Sequence, residues 1–365
     1  MDLLHSPLHA EHTDLGAKFA EFGGWDMPLE YAGGGVLAEH AAVRNAVGVF
    51  DVSHLGKATV RGPGAVAFLN SCLTNDLDRI AAGQAQYTLL CAEDGGVVDD
   101  LIAYRISDFE VFLIPNASNT TEVVARLTAA APEGIEVVNQ HRHFAVLAVQ
   151  GPLSDEVLTA MGLPTDHAYM SFTEAEIAGV AVTVCRTGYT GERGYELVVP
   201  SDSAPTVWAE IMRAGEAYEL RACGLAARDT LRTEMGYALH GHELSMTISP
   251  VMARVGWAVG WKKPYFWGKD TLQAQKAGNN VRLTRGLLAQ GRGIPRPGMT
   301  VSADGSVVGE VTSGTFSPTL RQGIALALLE PTQALGDSVT VDVRGRQEVF
   351  TVVAPPFISP SVKES

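Results

Sequence analysis

The chain has 365 residues, 46% hydrophobic and 19% charged, too long for one ordinary core and too apolar for a disordered polymer. Its 27 Lys and Arg stand against 41 Asp and Glu, a formal charge of −14 that argues against grip on nucleic acid or an anionic membrane. Small molecules and other proteins are the partners to expect.

The N-terminal stretch MDLLHSPLHAEHTDLGAKF lacks a basic region followed by an apolar core, and no apolar run is long enough to cross a bilayer. A soluble, cytoplasmic chain is therefore expected. FGGWDMPLEYAGGGV, rich in Gly and aromatics, reads as loop broken by one or two short strands. VLAEHAAVRNAVGVF follows with an apolar spacing of about 3.6, a helix that ends at Gly48. DVSHLGKATVRG alternates like a strand, and PGAVAFLNSCL reads as a short helix with Pro63 at its start. QYTLLCAEDGGVVDDLIAYRISDFEVFLIPN holds three strands with turns at Glu93-Asp94-Gly95-Gly96 and at Ser107-Asp108. A helix from Asn119 to Ala131 completes an α+β unit over 51–139, helices laid against an antiparallel sheet.

From 141 the pattern restarts with the strand HFAVLAVQGP, a helix through VLTAMG, and the hairpin IAGVAVTVCRTGYTGERGYELVVP. Two helices follow, Ser203 to Ala217 and CGLAARDTLRTEMGY. ATVRGPGAVAF and AVLAVQGPLSDEV echo one another as strand, Gly-Pro, helix, which points to an internal duplication. Beyond about 280, many short alternating strands separated by Gly and Asp turns predict a compact all-β sandwich or barrel. No dinucleotide fingerprint and no P-loop is present.

Neighbours in a strand face opposite sides. In GGVVDDLIAY, a regular strand puts Asp99 with Val97 and Leu101, and Asp100 with Ile102 and Tyr104. One carboxylate must then point at a core or at a cavity within it, and an unpaired charge there is expensive. Either it is met by donors in a ligand pocket, or both acids end a strand and bind amides around the Gly95-Gly96 turn. Glu196, leading into Leu197-Val198-Val199, raises the same question. Tyr87, Asp100, Tyr104 and Asn116 converge if neighbouring strands pair in meander order, a set suited to a flat heteroaromatic ligand. Locally, Arg228, Asp229 and Arg232 read as a salt-bridged helix surface, and His54 as a packed or hydrogen-bonded group rather than a base. The four cysteines form no CxxC pair and the histidines are scattered, so no metal site or disulfide framework is expected.

Taken in order, GGWDMPLEY, EHAAVRNAVGVFDVSHLG, GQAQYTLL, EDGGVVDDLIAY, RTGYTGERGYEL, GLAARDTLRTEMG and GEVTSGTFSPTL resemble the aminomethyltransferases, the T-proteins of glycine cleavage systems. The likeness covers nearly the whole chain. It implies an α+β, three-domain cloverleaf around a central opening for tetrahydrofolate. The implied domains are residues 1–50 with 140–255, 51–139 inserted in the first, and 281–365 after a linker at 256–280. The implied substrate is the aminomethyl group on the lipoyl arm of the H-protein, and the products are 5,10-methylenetetrahydrofolate, ammonia and the dihydrolipoyl arm.

By the same resemblance, Asp100 matches the catalytic aspartate, whether as cofactor orienter, charge stabiliser or proton carrier, and Asp99 would be structural. Glu196 matches the pterin-binding glutamate, and Arg228 the arginine that holds the folate or the pocket carboxylates. Leu55, Tyr87, Tyr104, Asn116, Tyr169 and Tyr189 would line the slot, with Leu55 standing where the family usually has methionine. Neither a metal nor a redox cofactor is implied. A folate-dependent demethylase of a methylated sulfur compound and a non-catalytic folate protein of iron–sulfur maintenance are the alternatives within this family. A monomer is expected, with a local basic rim drawing the carrier to the opening.

Overall fold

The computed structural model describes residues 2–278 and 280–362, which form three lobes built on four sheets. A three-stranded sheet of Leu4–His5, Trp25–Glu30 and Lys18–Phe22 lies at the start of the chain. A six-stranded sheet runs Phe172–Ile177, Val180–Cys185, Gly194–Pro200, Phe144–Gln150, Gly48–Asp51 and Arg221–Cys223. A five-stranded sheet runs Gln84–Cys91, Val97–Ser107, Glu110–Ile114, Ala58–Arg61 and Glu136–Asn139. Between Leu283 and Val353 six strands close into a barrel. No helix among the described residues is long and apolar enough to cross a membrane.

The sequence echo corresponds to a repeated topology. Each α+β lobe runs strand, helix, three-strand meander, 3-10 turn, helix, strand, with the first strand returning beside the third strand of the meander. The six-stranded sheet differs by taking in Gly48–Asp51 between the first and last strands of its unit. Gly62 and Gly151 occupy the same place in the two units, between first strand and helix, at φ of 128° and 134°. Both need to be glycine, because a Cβ would lie 2.1 Å from the Gly134 carbonyl oxygen and 2.5 Å from that of Ala46.

The two sheets face each other. Helices Ser154–Ala160 and Ala204–Gly215 cover the outer face of one, and Ala65–Cys72 and Thr120–Ala130 the outer face of the other. Between them Phe50, Val146, Ala148 and Val198 meet Ala85, Tyr104 and Ile114 in a shared apolar layer. Glu196 lies on the same face as Val198, and Asp100 on the same face as Ile102 and Tyr104. Both acids therefore point toward the space between the lobes.

Three local expectations are revised. The strand expected through DVSHLGKATVRG is interrupted: Asp51 accepts from Ser53 N–H at 2.9 Å, and Leu55 N–H bonds Val52 O at 3.0 Å. Lys57, fully buried, ties this turn by donating to the Ser53 and Leu55 carbonyls at 2.7 Å each, and the next strand starts only at Ala58. The strand carrying Asp99 is not regular either. Leu90 stands opposite Asp99 and Cys91 opposite Val97, so Val98 is the extra residue of a bulge. Finally, Arg232 belongs to no surface: 2% exposed, it bonds Asp229, Glu243 and Ser313.

Candidate functional site

Asp100 is held from two sides. Tyr87, one strand away, donates its hydroxyl to Oδ2 at 2.9 Å, and the Asn116 amide donates to Oδ1 at 3.0 Å. Burial pushes the Asp100 carboxyl up, the hydrogen bonds from Tyr87 and Asn116 pull it back, and a proton on His240 would pull it further. Asp99, wholly buried, meets only donors: Asn116 N–H and Nδ2 at 2.9 Å each, and Asn119 Nδ2 at 2.7 Å. That set fits an ionised carboxylate, against the upward push of burial and of the Asp100 charge.

Glu196 sits on the opposite sheet, in register with Ala148 and Cys185. Thr187 donates to its Oε2 at 2.5 Å, and Tyr104 lies 3.3 Å from the Thr187 hydroxyl. Oε1 has no hydrogen-bond partner among the described residues. Burial raises this carboxyl as well, with Thr187 and the Arg228 charge opposing. The Arg228 guanidinium stacks 4.3 Å from the centre of the Tyr189 ring and makes no side-chain hydrogen bond among the described residues. A half-buried acid and a half-buried guanidinium with unused hydrogen-bonding capacity mark a place prepared for a polar ligand.

These groups line one cavity of about 570 Å³ at the junction of the lobes. Leu55, Tyr87, Tyr104, Asn116, Tyr169, Tyr189 and Arg228 all lie on its wall with Asp100 and Glu196. Met170, at φ 61°, turns the 168–171 loop so that its carbonyl accepts from Ala85 N–H at 2.8 Å and its own N–H bonds Arg186 O at 3.0 Å. This bridge between the sheets sets Tyr169 at the wall. The barrel closes the remaining side through Thr284, Ala354, Pro355 and Pro356. Past these prolines the tail returns to the six-stranded lobe, where Ser361 N–H bonds Gly191 O at 2.8 Å and Arg186 donates to Val362 O at 3.1 Å.

His54 is fully buried, edge-on to Phe22 at 5.3 Å, and neither ring nitrogen has a hydrogen-bond partner among the described residues. Burial and the Arg228 charge lower its pKa to about 3, so it is neutral and no base. One group of three metal-type ligands occurs among the described residues, His5, His9 and Asp26, and none of the three lines the cavity.

Two family models cover the chain: the GCVT N-terminal domain matches residues 8–263, and the glycine cleavage T-protein C-terminal barrel domain matches 282–358. The chain belongs to the glycine cleavage T-protein family. It is 63% identical over 358 residues to the aminomethyltransferase of Frankia alni, covering 98% of each chain. Its identity to the aminomethyltransferase of Mycobacterium tuberculosis H37Rv is 58% over 360 residues, again 98% of each. The solved glycine cleavage system aminomethyltransferase T from Bartonella henselae superposes with a TM-score of 0.92 at 33% identity, over 98% of this chain and 99% of that one.

In this T-protein, several cavity residues went unnoticed in the sequence. Trp257, 67% exposed, stacks on the Tyr87 ring at 5.3 Å, and Tyr237 lies 5.6 Å from Tyr189. His240, one of the scattered histidines, lines the cavity and faces the amide of Asn119 at 3.0 Å. Asn119 lies outside every quoted motif and Thr187 inside one, RTGYTGERGYEL, but their roles come from partners twenty and nine residues away.

Proposed function

We propose that the cavity is the tetrahydrofolate site of an aminomethyltransferase, which moves the methylene carbon of an aminomethyl group from the lipoyl arm of the H-protein to N5 and N10 of tetrahydrofolate, releasing ammonia as the C–N bond breaks and the dihydrolipoyl thiol as the C–S bond breaks. The observation that carries this reading is the convergence of Asp100 and Glu196, from two facing sheets, on one cavity of about 570 Å³ in a T-protein.

The residues present fit such a ligand. A pterin offers a ring N–H beside an exocyclic amine, two donors that one carboxylate accepts together. Glu196, with Oε1 free, is the acceptor for that edge. Tyr189, Tyr237 and Tyr104 supply the flat walls, and the free guanidinium of Arg228 supplies donors for a carbonyl or carboxylate of the ligand.

Asp100 works from the other lobe. Tyr87 and Asn116 fix its carboxylate before the substrates arrive, so its charge stabilises the positive charge that develops as the C–N bond to the leaving amine breaks. Its raised pKa also suits it to carry a proton to that amine. The closed walls keep water from the reactive one-carbon fragment, which water would hydrolyse. The arm of the carrier enters beside Trp257 and Arg254, which line the mouth.

The test is ammonia release from aminomethylated H-protein with and without tetrahydrofolate. Release is expected to depend on folate and to fall by about 100-fold or more in Asp100→Asn with the fold retained. Wild-type turnover in that variant would contradict the assignment of Asp100, and folate-independent activity on a methylated sulfur compound would favour the demethylase reading.

A further inference from the structure

Asp99 and Asp100 differ in what surrounds them. Asp100 meets the cavity, whereas Asp99 is wholly buried behind it and reaches it only through two amides. Each amide nitrogen has two hydrogens, and each is divided in the same way. Asn116 Nδ2 gives one to Asp99 Oδ1 at 2.9 Å and the other to Asp100, whose backbone oxygen and Oδ1 both lie at 3.0 Å. Asn119 Nδ2 gives one to Asp99 Oδ1 at 2.7 Å and the other to His240 Nδ1 at 3.0 Å. Ser118, donating to Asn119 Oδ1 at 3.2 Å, agrees with that orientation of the amide.

The chain of donors decides the state of His240. Its Nε2 faces the Val97 carbonyl at 3.0 Å and must donate, while its Nδ1 faces the N–H of Asn119 and must accept. A proton on Nδ1 would set two donors against each other. Turning the Asn119 amide over would relieve that clash only by aiming its oxygen at the Asp99 carboxylate. A neutral imidazole beside Asp100 leaves the Asp100 charge free for the cation that forms in the cavity; an imidazolium there would consume it.

We propose that Asp99 is a positioning residue for the transfer reaction: through Asn116 it fixes the Asp100 carboxylate, and through Asn119 it holds His240 in the neutral, Nε2-protonated form. The inference rests on the aminomethyltransferase reading for its kinetic consequence, but the hydrogen-bond chain exists without substrate. The charged and titratable groups facing this set are Tyr87 on the adjacent strand, Tyr189 across the cavity, and the Arg232–Glu243 pair, whose Glu243 receives Leu239 N–H. None of these can replace Asp99 as the acceptor for both amides, since each is engaged elsewhere.

The test uses the full chain and two variants. In Asn119→Asp, the oxygen that replaces Nδ2 stands between Asp99 Oδ1 and His240 Nδ1, and the second carboxylate beside Asp99 favours a proton on His240 Nδ1. Nitrogen-15 NMR of His240 in the folate-free protein is expected to show an unprotonated Nδ1 in wild type at pH 7.5 and a protonated Nδ1 in Asn119→Asp. In Asp99→Asn, kcat is expected to fall about tenfold or more while the KM for tetrahydrofolate stays within about threefold. A protonated Nδ1 in wild type, or an unprotonated Nδ1 in Asn119→Asp, would overturn the proposal even if Asp99→Asn fails to fold. Failure of the reaction assignment would instead show as no folate-dependent release in wild type, with the NMR result unaffected.

Discussion

The Glu196 carboxylate spends one oxygen on Thr187 and offers the other to the cavity, so its value to a ligand depends on charge rather than size. Glu196→Gln keeps the volume and presents an amide to a donor edge that wants two acceptors. Tetrahydrofolate affinity measured by calorimetry is expected to fall by about 1.5 to 3 kcal/mol, the worth of hydrogen bonds to a charged group. Unchanged affinity would remove Glu196 from the pterin site. Asp100 and Glu196 were legible in the sequence because a carboxylate inside an apolar strand needs a physical reason. His240, Asn119 and Thr187 were not. Each is ordinary in its local context, and His240 acquires its role from Asn119, 121 residues earlier in the chain. Even Asp99 was only half readable: alternation required one of the two carboxylates to face the core without saying which, and the two amides that give the burial a purpose lie beyond the next strand.

Among the elements, helix Leu225–Glu234 joins the six-stranded lobe to the barrel, and Glu234 is its anchor. The fully buried carboxylate accepts from Arg44 at 2.8 Å, from Ser317 at 2.5 Å and from Thr319 at 3.0 Å. Burial alone would raise this carboxyl, but His40, Ser317 and Arg44 outweigh it and hold it at about 2. A depressed acid contributes stability that is full above its unfolded value and is lost as pH falls through the folded one. The contribution therefore disappears between about 4.5 and about 2. Glu234→Gln is expected to cost about 3 to 5 kcal/mol at pH 7 by chemical denaturation, because it leaves Arg44 without one of its two acids. The variant should also lose less stability than wild type on acidification across that window. Equal unfolding midpoints at pH 7 would contradict this. At the same scale the duplicated unit was visible as a Gly-Pro step after each strand, whereas the Ser53–Lys57 turn was not, because DVSHLGKATV alternates as a strand would. What breaks it is Lys57, whose ammonium group is spent on two carbonyls of the turn.

At the level of the whole molecule, the two acids sit on different sheets, and only the packing of those sheets gives them one cavity. Phe50, Val146 and Ala148 against Ala85, Tyr104 and Ile114 set the separation, and the barrel with Pro355 and Pro356 shuts the third side. The sequence indicated the barrel by its short, turn-separated strands and the lobes by their helices. The way three lobes enclose a cavity has no local signature and entered through resemblance to the family. The account stands or falls on where tetrahydrofolate binds. A crystal structure of the wild-type protein with tetrahydrofolate is predicted to show the pterin amino edge bonded to the Glu196 carboxylate, with Asp100 beside the nitrogens that receive the methylene. Folate bound outside the cavity, or inside it with its pterin away from Glu196, would contradict the account.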